Sequence, residues 1–139
     1  MKCLKFVRCT IAIIVICVLT ACSDKYVEQI KQVVTELVYD GLENYDYVVV
    51  IPEVGCTGCI TTVEQYFLEN VDNLRYKFIF TECLSIKGLK YRLGGDENLK
   101  RTNVFIDEYD LIFAPEYEDK IYPHILTVKN GEITNVKVF

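Results

Sequence analysis

Apolar and polar positions follow two different periods along this chain, and the switches between them mark the elements. From Lys25 to Leu42, Val27, Ile30, Val34, Leu37 and Val38 fall on one face, and Glu28, Gln29, Lys31, Gln32 and Glu36 on the other. This helical period predicts an amphipathic helix with Gly41 as its stop. Tyr45 to Ile51 (YDYVVVI) is instead a nearly continuous apolar, β-branched run that ends at Pro52. Such a run suits a central strand covered on both faces, and proline cannot donate to a sheet ladder. Pro52 to Gly55 reads as a loop. Ile60, Val63, Phe67 and Val71 then return to helical spacing, with Thr61, Thr62, Glu64, Gln65 and Glu69 between them. Leu74 to Thr81 (LRYKFIFT) predicts a second strand. Strand, helix and strand in this order make a right-handed βαβ unit with parallel strands the expected connection.

The second half is less regular. Leu84-Ser85-Ile86 and Leu89-Lys90-Tyr91 suggest short helical turns, interrupted by Gly88 and by Gly94-Gly95. Asn103 to Ile106 reads as a short strand or extended link, and Asp107 to Lys120 as an exposed acidic loop or irregular helix. Ile125 to Val128 and Ile133 to Phe139 flank Asn130-Gly131, the strongest short hairpin signal. The pattern predicts an α/β fold: a central mixed sheet of about four to five strands, flanked by helices and closed by a C-terminal β-hairpin.

Residues 1–21 read as a targeting segment. Lys2, Lys5 and Arg8 make a basic start, and Ile11 to Leu19 is an apolar run. It falls short of the roughly 20 residues of a spanning helix and suits the h-region of a signal peptide. Leu19-Thr20-Ala21-Cys22 resembles the lipobox of bacterial lipoproteins. That resemblance implies cleavage before Cys22 after lipidation of its thiol, and a lipid-anchored location in the bacterial cell envelope, on the periplasmic or outer-membrane side. The domain expected is then 22–139.

Removing 21 of the 139 residues leaves 118, with twelve bases against twenty acids and a net charge of −8. A domain of this length buries enough surface for a core without staples. An acidic domain with no basic cluster argues against nucleic acid as a partner, and against binding to anionic lipid without acyl chains.

Seven cysteines become three thiols once Cys3, Cys9 and Cys17 leave with the signal and Cys22 is lipidated. Cys56, Cys59 and Cys83 remain in a compartment where disulfides form. Cys56-Thr57-Gly58-Cys59 stands at the junction of the first strand and the second helix. A helix N-terminus concentrates unsatisfied N–H groups and favours a thiolate there. The pair is expected at the C-terminal edge of a parallel sheet, where α/β proteins place their sites. In such pairs the first thiol is the more exposed.

The order of elements, the Cys56–Cys59 motif and Tyr122-Pro123-His124 before the hairpin resemble the thioredoxin-like fold. With the lipobox, the chain looks like a bacterial extracytoplasmic thioredoxin-like lipoprotein. The resemblance implies thiol–disulfide exchange with protein thiols or disulfides of the envelope, Cys56 as nucleophile, Cys59 as resolving thiol, and no cofactor. It implies a cis Pro123 facing the pair, with Tyr122 and Pro123 holding substrate in extended form. Three features depart from the family. Gly55 replaces an aromatic residue, Val50 replaces a buried acid six residues before Cys56, and the family's final helix is missing, so that one sheet face is expected to rest on a single helix or to be covered by a partner. Glu53 or Glu82 is the candidate to substitute for that acid. Other readings stay open: a structural disulfide in a binding lipoprotein, Cys83 as an extra resolving thiol, or a zinc site from Cys56, Cys59, Cys83 and His124. Tyr109, Tyr117 and Tyr122 are candidates for a peptide-binding surface.

Overall fold

The computed structural model describes residues 25–112 and 122–139. The signal segment, Cys22 and Tyr117 lie outside the described residues. Helix α1 (Lys25–Leu37) buries Tyr26, Ile30, Val34 and Leu37. It ends earlier than the period suggests. Gly41 takes φ 92° and a 3-10 turn (Leu42–Asn44) leads into β1. Strand β1 (Tyr47–Pro52) is followed by α2 (Thr57–Asn70) and β2 (Tyr76–Thr81). Then come α3 (Ile86–Arg92), α4 (Asp96–Leu99), β3 (Val104–Ile106), β4 (His124–Lys129) and β5 (Glu132–Val138).

The five strands form one mixed sheet in the order β3-β2-β1-β4-β5. β1 pairs parallel with β2, from Tyr47 opposite Tyr76 to Pro52 opposite Thr81. It pairs antiparallel with β4, and Val50 lies opposite His124. The architecture is the expected α/β, thioredoxin-like one, although its strand order matches that fold only loosely. Of the two readings of Asn103–Ile106, the short strand holds: Val104–Ile106 adds parallel to β2.

Two core clusters cover the two faces. Val49, Ile51, Phe78 and Phe80 pack with Val63 and Phe67 of α2, Leu89 of α3, Leu93, and Leu99 of α4. The Phe67 ring stands edge-on to Phe78 and Phe80, with centroids 4.9 and 5.2 Å away, a favoured aromatic geometry. Val48, Val50, Ile79 and Leu126 pack on the other face against Tyr26, Ile30 and Val34. Among the described residues α1 is the single α-helix of that face.

Gly88 does not interrupt α3. The Ser85 hydroxyl accepts from the Gly88 N–H at 3.1 Å and caps the helix, which offsets glycine's low propensity. The hairpin turns at Asn130 (φ 53°) and Gly131 (φ 78°), both left-handed as a two-residue hairpin turn requires. A bulge at Thr127/Val128 lets Ile133 and Val136 share one face despite a spacing of three.

Candidate functional site

β1 delivers the chain to the edge of the sheet at Pro52. The Glu53 N–H still bonds the Thr81 carbonyl at 3.0 Å. Gly55 then adopts φ 143°, a conformation that disfavours side chains. This backbone requirement accounts for glycine where the resembled family carries an aromatic residue. Cys56 is the N-cap of α2 and is extended (φ −67°, ψ 100°). Its carbonyl accepts the Ile60 N–H at 2.9 Å. No side chain caps α2, and its first turn holds no acid. The positive end of the helix is thus aimed at the Cys56 position with no carboxylate in that turn to compensate it.

Cys59 lies in that first turn. The two Cα atoms are 5.3 Å apart and the sulfurs are joined as a disulfide, within the usual Cα range. Both cysteines are partly exposed.

Arg92 organises the approach to the pair. From α3 it donates to Glu53 in the β1–α2 loop and to Glu64 in α2, both at 2.9 Å. The other Glu53 oxygen accepts the Ser85 N–H at 3.2 Å. Three segments are thereby tied together beside the pair. An open groove of about 410 Å³ runs here, lined by Val54, Thr57, Ile60, Leu84 and these charged groups. Reading the sequence missed Arg92. Its partners lie 39 and 28 positions away, so no local spacing announces the clamp.

The remaining candidates are placed less centrally. Val50 is buried on the α1 face at 2% exposure. Glu53 is held by Arg92 and Ser85. Glu82 takes φ 52°, and its N–H donates to Asp110. Pro123 is buried. Continuing the Val50–His124 register places it alongside Ile51. No cis peptide bond occurs among the described residues, so the cis proline implied by the resemblance is not found. Tyr122 lines a small cavity on the α1 side with Tyr26, Val50 and Pro52. Tyr109 is exposed.

Cys83 does not join the pair. Its thiol donates weakly to the Thr81 carbonyl at 3.8 Å. Burial, with Glu53, Asp110 and Asp107 nearby, pushes its pKa up to about 12 although Arg92 opposes the rise. His124 is buried edge-on to Tyr26, with ring centroids 5.2 Å apart. Among the described residues no three His, Cys, Asp or Glu side chains are grouped to hold a metal ion. The zinc set of Cys56, Cys59, Cys83 and His124 is therefore not assembled. No described helix is long and apolar enough to cross a membrane.

No protein-family model, curated protein or solved structure matches the chain. The thioredoxin-like likeness rests on the architecture and on the place of the cysteine pair within it.

Proposed function

We propose that this chain is a lipid-anchored protein that performs thiol–disulfide exchange through Cys56 and Cys59. The observation that carries the reading is the position of the pair: Cys56 caps α2 at the C-terminal end of a central strand, within disulfide reach of Cys59. In the reduced pair, the helix end stabilises a Cys56 thiolate. That thiolate attacks a substrate disulfide, forms a mixed disulfide and expels one substrate thiolate. Cys59, deprotonated, then attacks Cys56 and expels the second. Two electrons pass from the pair to the substrate, and the two substrate sulfurs end as thiols. Run in reverse, the closed pair oxidises a substrate dithiol. The Val54–Leu84 groove, which Thr57 also lines, receives the substrate chain, with Tyr122 and Pro123 holding it in extended form as the resemblance implies. Cys22 carries the anchor, as its lipobox-like setting implies, and places the domain in the bacterial cell envelope.

The test is reduction of insulin by the full chain in detergent, with Cys56→Ser as control. Turnover lost in the variant supports exchange. An unreactive pair in every redox buffer sinks it.

One observation favours a structural disulfide instead. Val50 supplies no acid at the family's position, and the Glu53 carboxylate is already held by Arg92 and the Ser85 N–H. A reduction potential below about −300 mV would mark the pair as structural.

A further inference from the structure

We infer that the lipid anchor and the cysteine pair leave the domain at the same edge, so that the pair exchanges with cysteines that a membrane protein holds close to the bilayer surface. The inference rests on the exchange and anchor readings above and adds an orientation and a partner class to them.

The direction of α1 carries it. Its first turn lies where β1 and β2 end. Tyr26 meets the ring of His124, and His124 stands opposite Val50. Tyr26 also shares a small cavity with Pro52, Thr81 and Tyr122. The far end of the helix lies at the other edge. Beyond it, the Asp40 carboxylate binds Lys77 at 3.0 Å, and Lys77 stands where β2 begins. α1 therefore runs antiparallel to β1, and its entry point sits beside Pro52, four residues before Cys56. Cys22 precedes Tyr26 by only four residues. That length of chain spans at most about 14 Å. An acyl chain on Cys22 thus holds the redox edge, and not the opposite one, against the membrane.

The rim of that edge is apolar. Val54 after β1, Leu84 after β2 and Leu111 after β3 are 41%, 82% and 53% exposed. All three follow parallel strands and so stand at one end of the sheet. Glu82 and Asp110 lie with Val54 and Leu84, and the anchored domain is acidic as a whole. Carboxylates disfavour burial in an anionic headgroup layer. The rim therefore fits a protein surface at the bilayer better than the lipid itself. In the exchange, a partner thiolate attacks the closed pair at Cys56, and Cys59 leaves as a thiolate. The partner's second thiolate then attacks the mixed disulfide and frees Cys56. Two electrons move to the pair, and the partner closes its own disulfide. The same steps reversed reduce a partner disulfide.

The test uses the acylated full chain in vesicles of phosphatidylethanolamine and phosphatidylglycerol. Two synthetic transmembrane peptides serve as partners. One carries a Cys-x-x-Cys pair at its outer end. The other carries it about 20 residues further out on a helical stalk, some 30 Å from the surface. The near pair is expected to react at least about tenfold faster, as effective concentration requires when tether and target match. A helical spacer of about 20 residues between Ser23 and Lys25 is expected to reverse or abolish that preference. Equal rates for the two peptides with the native tether, or a preference that the spacer leaves unchanged, would overturn the orientation. The same peptides in detergent separate the two failures. Reaction in detergent without a preference in vesicles overturns the orientation alone, and no reaction in detergent overturns the exchange reading and this inference with it. Mass spectrometry that finds Cys22 unacylated also overturns the inference.

Discussion

Replacing Arg92 by Met keeps the aliphatic stem and removes the charge that ties three segments beside the cysteine pair. The loss falls on Glu53 and Glu64, whose side chains are only 8% and 12% exposed, while that of Arg92 is 39% exposed. Stripping one partner from a fully buried ion pair costs about 3–5 kcal/mol. An exposed pair contributes about 0–1 kcal/mol. Arg92 lies between these limits, since its carboxylate partners are shielded and the guanidinium is partly wet. We expect Arg92→Met to cost about 2 kcal/mol, in line with two charge-assisted hydrogen bonds discounted for exposure. Arg101→Met is the internal control, because its partner Asp72 is 83% exposed, and it should cost under about 0.5 kcal/mol. Urea unfolding of the full chain in detergent, with the disulfide closed, measures both. With a slope typical of small proteins the Arg92 variant shifts the midpoint by about 1–2 M. A cycle with Glu64→Gln should show coupling of about 1 kcal/mol. The two uncompensated carboxylates should also slow alkylation of reduced Cys56 at fixed pH. Equal midpoint shifts for Arg92→Met and Arg101→Met would refute the argument that burial of the carboxylates sets the cost.

Three further outcomes follow from single sites. With its pKa pushed up to about 12, Cys83 should react with iodoacetamide at pH 8 about 10²-fold more slowly than an unhindered thiol, allowing for its greater intrinsic nucleophilicity; labelling at the rate of a free peptide cysteine would contradict the burial argument. Burial pushes the Asp40 carboxyl up, but hydrogen bonds from Tyr45 and Lys77 and the Lys77 charge outweigh it, and the net shift is downward. Its contribution is therefore present above the unfolded carboxyl pKa of about 3.9 and is lost as pH falls through the lower folded value. Asp40→Asn should flatten the acid loss of stability below about pH 4, and an unchanged acid limb in urea titrations would count against the network. Gly55→Ala should cost about 1–3 kcal/mol because of its φ, whereas Gly58→Ala, whose added Cβ meets nothing within 4 Å, should gain up to about 1 kcal/mol. Equal effects on thermal midpoints would remove the conformational explanation for Gly55.

What was legible in the sequence is what local chemistry decides. The apolar run Val48–Ile51 announces a strand buried on both faces, because each face must meet a helix layer. Asn130-Gly131 announces the hairpin, because both residues tolerate the left-handed backbone of its turn. Cys56 announces a helix start because the period of Ile60, Val63 and Phe67 begins directly behind it. What was hidden depends on partners distant in the chain. β3 is three half-buried residues, and the choice between a short strand and an extended link is settled by the free edge that β2 offers it. The Arg92 clamp joins positions 53, 64 and 92. The high pKa of Cys83 comes from burial and from acids on other loops, so its count as a third thiol overstated its chemistry. Lys77 is a similar case. It is buried against Tyr45, Asp40 and the Thr102 carbonyl, partners that lie 25 to 37 positions away.

The order of the strands links these details to the chemistry. Chain order from β1 to β2 to β3 is also spatial order across the sheet, and each pairing is parallel. Successive crossovers that advance in one direction keep their helices on one face, and the shared cluster of α2, α3 and α4 side chains shows that they do. α3 is thereby brought beside α2, which is the condition for Arg92 to reach Glu64 and Glu53. The same arrangement leaves the opposite face to α1. To cover Val48, Val50 and Leu126 and still feed β1 from below, α1 has to run against the direction of that strand, with Tyr26 at the top and Leu37 at the bottom. The sheet's C-terminal edge consequently receives two things at once: the parallel strand's site, with Cys56 at the start of α2, and the point where the preceding chain enters the domain. An N-terminal tether on this architecture is coupled to the orientation of the cysteine pair by the packing of α1. Tyr26, 3% exposed against His124, is the contact that fixes it.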